Sequence, residues 1–184
     1  MRSFLVAFLL VMLSALPLVN SQAQNLIWPA HLDTAVSYVG TREVGHNSGR
    51  IVAKFLRSVN LPKGNPWCAA FGSYDLTAAH VRRPRIRSGL ATNFITKKSI
   101  PAKEVLRGLI KIKPGTIGIM RHGSSIHGHF YFVIRWNKAS GITVEGNTRP
   151  TGMPDGPQGV WIKHRNIIPG NYFRTVDFTP VNYS

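Results

Sequence analysis

Cysteine is nearly absent from this chain: its 184 residues carry one, Cys68. An internal disulfide is thereby excluded, and the thiol is left as a buried filler, an intermolecular link or a reactive group. Acidic side chains are almost as scarce, with 7 Asp and Glu against 23 Lys and Arg and a formal net charge of +16. Beyond Val19 no segment is apolar enough to span a bilayer. Internal repeats and long low-complexity linkers are also missing, so nothing marks a second domain. Disorder is excluded by what is present, since 43% of the residues are hydrophobic.

The N-terminus reads as an export signal. Met1-Arg2 is a short positive segment, and Ser3 to Val19 is almost wholly apolar. Ser21-Gln22-Ala23 offers small residues at the two positions a signal peptidase reads. A retained membrane anchor is the rival reading; Pro17 and the small-residue site favour cleavage. Residues 1–23 are therefore expected to be a signal peptide and residues 24–184 one domain, exported to the periplasm or the extracellular space. Only Arg2 of the basic residues leaves with the signal, so the positive field persists and favours anionic partners. For an exported chain those are envelope polymers or lipid headgroups. A nucleic-acid partner is not expected, because no recognition motif accompanies the charge.

The apolar spacing changes half-way along the chain. Trp28 to Val39 predicts a helix with Pro29 in its first turn, and Arg50 to Val59 predicts a second. Between them, Arg42 to Gly49 reads as a polar, glycine-rich turn. A third helix is expected from Pro66 toward Ala78, with Asn65 as its cap, and a short one from Ser99 and Pro101 to Arg107. After that the period becomes two. Thr116 to Met120, Phe130 to Trp136, Ile142 to Glu145, Gly159 to Lys163 and Tyr172 to Phe178 all read as strands. Helices followed by a run of antiparallel strands predict an α+β fold, with the N-terminal helices packed on the sheet.

Cys68 falls in the first turn of the third expected helix. Unpaired N–H groups and the positive end of the helix dipole favour an anion there, so its pKa should fall toward the nucleophilic thiolate. The same N–H groups could hold the oxyanion formed when a carbonyl is attacked. A nucleophile of this kind needs a base. His31, His46, His80 and His164 read as solvated or structural. His129 opens an apolar strand, which makes it the best-placed imidazole. His127, two residues earlier, is the fallback and His122 the weakest of the three. A three-histidine metal site is not favoured, since no ligand spacing such as HExxH is present; neither metal nor cofactor is expected. The base needs an orienting group in turn, and Glu145 or Asn147, at the end of the next strand, could each accept its N–H.

Pro66-Trp67-Cys68-Ala69-Ala70-Phe71, Gly128-His129 before an apolar strand, and Glu145-Gly146-Asn147-Thr148 occur in an order that resembles the CHAP family. These are cysteine, histidine-dependent amidohydrolases and peptidases related to the NlpC/P60 papain-like hydrolases. Val39-Gly40-Thr41-Arg42-Glu43-Val44 with Asn47-Ser48-Gly49 is similar to that family's opening segment, so the likeness runs from about Ala35 to Phe178. Family members often carry Pro-Gly-Asp before the first strand, where this chain has Pro114-Gly115-Thr116. The resemblance implies a papain-like fold with Cys68 as nucleophile, His129 as general base and Glu145 orienting it, with Asn147 assisting or substituting. It also implies cleavage of amide bonds in bacterial peptidoglycan, either at the N-acetylmuramoyl–L-alanine junction or within the stem peptide and cross-bridge. The acidic cluster of the calcium site found in some relatives is not seen in this sequence. Peptidoglycan and its anionic polymers are the expected partners of a monomer with possible peripheral association to the envelope. The alternative is a non-catalytic, basic envelope-binding protein that keeps only the fold.

Overall fold

Apolar residues at helical spacing dominate the first half of the chain and alternating ones the second, and the elements follow that division. The structure, a computed structural model, describes residues 28–176. The expected signal peptide and the last two residues of the final expected strand lie outside the described residues. Helices α1 (Ala30–Ser37), α2 (Arg50–Arg57) and α3 (Cys68–Ala78) come first. A 3-10 turn (Ala91–Phe94), strand β1 (Ile100–Pro101) and helix α4 (Ala102–Leu106) follow. Then come β2 (Ile117–Arg121), β3 (Gly128–Asn137), β4 (Ser140–Thr148), β5 (Gly159–Asn166) and β6 (Asn171–Arg174). All six strands form one antiparallel sheet in the order β1-β6-β2-β3-β4-β5. The architecture is thus α+β.

Several boundaries differ from expectation for local reasons. Pro29 does not sit inside α1; its extended backbone (φ −58°, ψ 135°) makes it the residue before the first turn. Ile100 and Pro101 are not helical, because they pair with Phe173 and Tyr172 at the sheet edge, and the helix begins only at Ala102. The third helix starts two residues later than expected. Asn65 does not cap it but donates to the Pro62 carbonyl, and Trp67 occupies the capping position with non-helical backbone. Cys68 is therefore the first helical residue.

The core has two compartments, one on each face of the sheet. Along β3, Phe130 and Phe132 join the larger core with residues of α1, α2 and α3, while Tyr131 and Val133 join a smaller one with Val105, Ile112 and Phe173. This is the period-two alternation of a strand buried on both faces. Helix α2 is amphipathic, burying Val52, Ala53, Phe55 and Leu56. Helix α3 is buried on nearly all sides, from Cys68 through Ser73 and at Asp75 and Leu76. It can lie that deep because glycine stands where it meets the sheet: Gly72 of α3 against Phe130, and Gly146 of β4 against Phe71. A Cβ on Gly72 would fall 2.0 Å from the Phe130 ring, so a side chain there would force helix and sheet apart. The close approach brings the N-terminus of α3 to the beginning of β3.

Candidate active site

Trp67 anchors the start of α3. Its ring is fully buried and stacks on Phe55 at 5.7 Å. The indole N–H donates to Glu43 Oε2 (3.1 Å), and the backbone N–H donates to Asn147 Oδ1 (2.9 Å). Asn147 in turn donates to Asn47 Oδ1 (2.9 Å) and Gln158 Oε1 (2.7 Å). The glycine-rich turn after α1 is thus structural, because Glu43 and Asn47 hold the residues that place Cys68. A second close approach completes the clamp, since a Cβ on Gly146 would meet Phe71 and Trp67 at 2.8 Å.

The Cys68 thiol sits at the first position of α3 with 7% of the residue exposed. Its sulfur lies 4.0 Å from the Gly128 carbonyl oxygen, to which the thiol donates, and the neighbouring His129 imidazole acts to lower its pKa. His129 Nε2 donates to Glu145 Oε2 at 2.8 Å. Glu145 is fully buried and its carboxylate accepts three further hydrogen bonds: from Arg165 Nε (2.7 Å), Arg165 Nη2 (2.5 Å) and the Thr143 hydroxyl (2.6 Å). A buried carboxylate is tolerable only when its oxygens are satisfied in this way.

The resulting line of groups runs thiol, imidazole, carboxylate, guanidinium. Burial pushes the Cys68 thiol up, but the hydrogen bond and charge of His129 outweigh it and the net shift is downward. Burial works against the His129 cation too. The bonds to Cys68 and Glu145 reverse that and hold its pKa up at about 10. Glu145 is disfavoured as an anion by burial, then stabilised by Arg165 and His129 to about 2. The downward shift of the thiol and the upward shift of the imidazole both run toward transfer of the thiol proton to His129, and Glu145 and Arg165 support that direction from behind.

Of the four residues expected to form the site, Cys68, His129 and Glu145 are brought together. Asn147 is not. Expected to share the orienting role with Glu145, it instead serves the Trp67 backbone. The reason is a register shift between Glu145 and Thr148, with Asn147 in the left-handed region at φ 55°. The shift breaks the alternation that would have aimed residues 145 and 147 alike. Among the other imidazoles, His31 is buried with Nε2 2.8 Å from the Gly115 carbonyl oxygen, and His46 contacts Asn47. His80, His122 and His164 are exposed.

Compared with models of known families, with curated proteins and with solved structures, the chain matches none.

Cys68 opens onto a groove of about 450 Å³. Val59, Leu61, Pro66 and Leu90 give it apolar walls, and Arg87 and His127 contribute polar groups. Exposed His127, the fallback base, thus borders the groove, while the sulfur's imidazole partner is His129. Such a surface suits an extended segment with both apolar and polar parts. Among the described residues, no group of three or more His, Cys, Asp or Glu is placed to hold a metal ion. No helix among them is long and apolar enough to cross a membrane. Arg165 was not anticipated. It is one basic residue among many on a half-exposed strand, and only the folded sheet brings it to Glu145.

Proposed function

We propose that the protein is an exported cysteine amidohydrolase or endopeptidase with a papain-like, CHAP-type fold that cleaves amide bonds in bacterial peptidoglycan. The observation that carries this reading is the continuous chain from Cys68 at a helix N-terminus through His129 to Glu145, opening on a groove. The order of the sequence motifs supports it independently.

In the mechanism, the Cys68 thiolate attacks the amide carbonyl while His129 holds the proton. The negative charge passes to the carbonyl oxygen, where backbone N–H groups at the start of α3 stabilise it. Collapse breaks the C–N bond, His129 delivers its proton to the leaving amine, and a thioester to Cys68 remains. His129, now neutral, takes a proton from water as the water attacks the thioester. The product acid leaves and the thiolate–imidazolium pair is restored. Glu145 keeps the imidazole in the required tautomer throughout, and Arg165 keeps Glu145 ionised.

The test is digestion of purified sacculi, with mass spectrometry of the released fragments to identify the bond cut. Cys68→Ala is expected to abolish release while leaving the circular-dichroism spectrum unchanged. A variant that digests wall as fast as the parent would end the proposal.

A further inference from the structure

A second concavity, of about 340 Å³, adjoins the segment that walls the Cys68 groove. Arg83, Pro84, Arg85, Lys98, Arg174 and Thr175 line it, the last two at the end of β6. Four basic residues thus line one space. No carboxylate among the described residues lies within ion-pair distance of any of them. Arg174 Nε is buried and has no hydrogen-bond partner among the described residues. Like charges gathered without counter-charge repel one another, and a buried donor without an acceptor is costly. The repulsion among the cations falls when an anion enters.

The pocket is held in shape. The Arg87 guanidinium donates to the carbonyls of Pro84, Ile86, Leu76 and Val81, which ties the 83–87 loop to the end of α3. The Thr96 hydroxyl accepts from Arg174 Nη1 and from the Lys98 backbone N–H (3.2 Å), which ties the Lys98 turn to β6. Arg87 also borders the Cys68 groove, so one guanidinium braces the partition between the two concavities. Three arginines and a lysine converging on a site suit a phosphoryl oxygen set, which guanidinium forks match geometrically. A membrane surface is the poorer fit, because none of the large exposed hydrophobic residues lines the pocket.

We propose that this pocket binds a phosphodiester group of an anionic envelope polymer, holding the polymer beside the Cys68 groove. The envelope as the polymer's source rests on the exported, wall-acting reading; the anion site does not depend on catalysis. Binding is therefore measured on the full chain carrying Cys68→Ala, by titration calorimetry with a glycerol-phosphate oligomer at two salt concentrations. Saturable binding that weakens with salt is expected. R83Q/R85Q, which alters two exposed side chains, should lower affinity by about tenfold or more, the loss that follows when charge-assisted hydrogen bonds are removed. K98Q, which removes another exposed cation of the pocket, should also weaken binding. K111Q/K138Q removes the same charge from positions that do not line the pocket and should change affinity less than about twofold. Equal losses in the two double variants would reduce the effect to net charge and overturn the site. So would undiminished binding by R83Q/R85Q. Phosphatidylglycerol vesicles are the parallel probe: tighter binding to them than to the oligomer would make the occupant a membrane and overturn the polymer assignment. Digestion of sacculi by the Cys68 parent reports separately on the hydrolase reading.

Discussion

Replacing Glu145 by Gln removes the charge that His129 and Arg165 share while keeping the shape of the side chain. The magnitude follows from the depressed carboxyl. Burial alone would raise it, but Arg165 and His129 bring it from an ordinary 4.5 to about 2 in the fully buried site. At 1.36 kcal/mol per pH unit, that difference corresponds to about 3 kcal/mol of stability. Because the folded-state pKa is the lower one, this stability is present above pH 4.5 and is lost as pH falls through about 2. Gln does not titrate. The stability gap between parent and Glu145→Gln should therefore be about 3 kcal/mol at pH 6 and about half that at pH 3. For a chain of this size the larger figure is a fall in Tm of about 6–12 °C. Urea unfolding followed by circular dichroism at several pH values between 3 and 6 measures it. A gap that stays constant with pH would refute the reasoning, because it would mean that the carboxylate is not held ionised by its partners.

Three further outcomes follow from the same geometry. Cys68 should react with iodoacetamide near pH 6 faster than a free thiol, and His129→Ala should slow it by an order of magnitude or more; labelling indifferent to His129 would break the ion-pair reading. Asp75 is buried with neither carboxyl oxygen hydrogen-bonded among the described residues, and burial raises its pKa well above normal despite the Lys54 charge. An acid with a raised folded pKa loses stability as pH rises above its unfolded value, so Asp75→Asn should match the parent near pH 3 and exceed it at pH 7 and above. Melting curves at the two pH values decide this, and a variant less stable at pH 7 would count against it. Asn147→Ala removes the acceptor for the Trp67 N–H and places a Cβ residue that lacks a side-chain partner at φ 55°, so a loss of about 1–3 kcal/mol is expected. Cys68 labelling should slow with it although His129 and Glu145 are untouched; a variant with parental stability and labelling would refute the clamp.

What could be read without coordinates was set by local physics. The 3.6-residue spacing in the first half and the alternation in the second mark helices and strands because each element must bury one face, or both, of its own sequence. The lone Cys68 beside an expected helix start, and His129 at the head of an apolar strand, follow from the same local rules. Beyond that reach lay every bond between distant residues. Trp67 is joined to Asn147 across 80 positions, and this tertiary contact, not the Asn65 cap, decides where α3 begins. Glu145 and Asn147 look equivalent on an ideal strand, and only a register shift in the pairing of β4 with β5 separates their roles. Arg165 reaches Glu145 from the neighbouring strand, and no periodicity distinguishes it from the other basic residues. Residue spacing sets which faces an element buries, while strand pairing and helix docking set which buried groups meet. The downward pKa shift of the cysteine depends on the second of these.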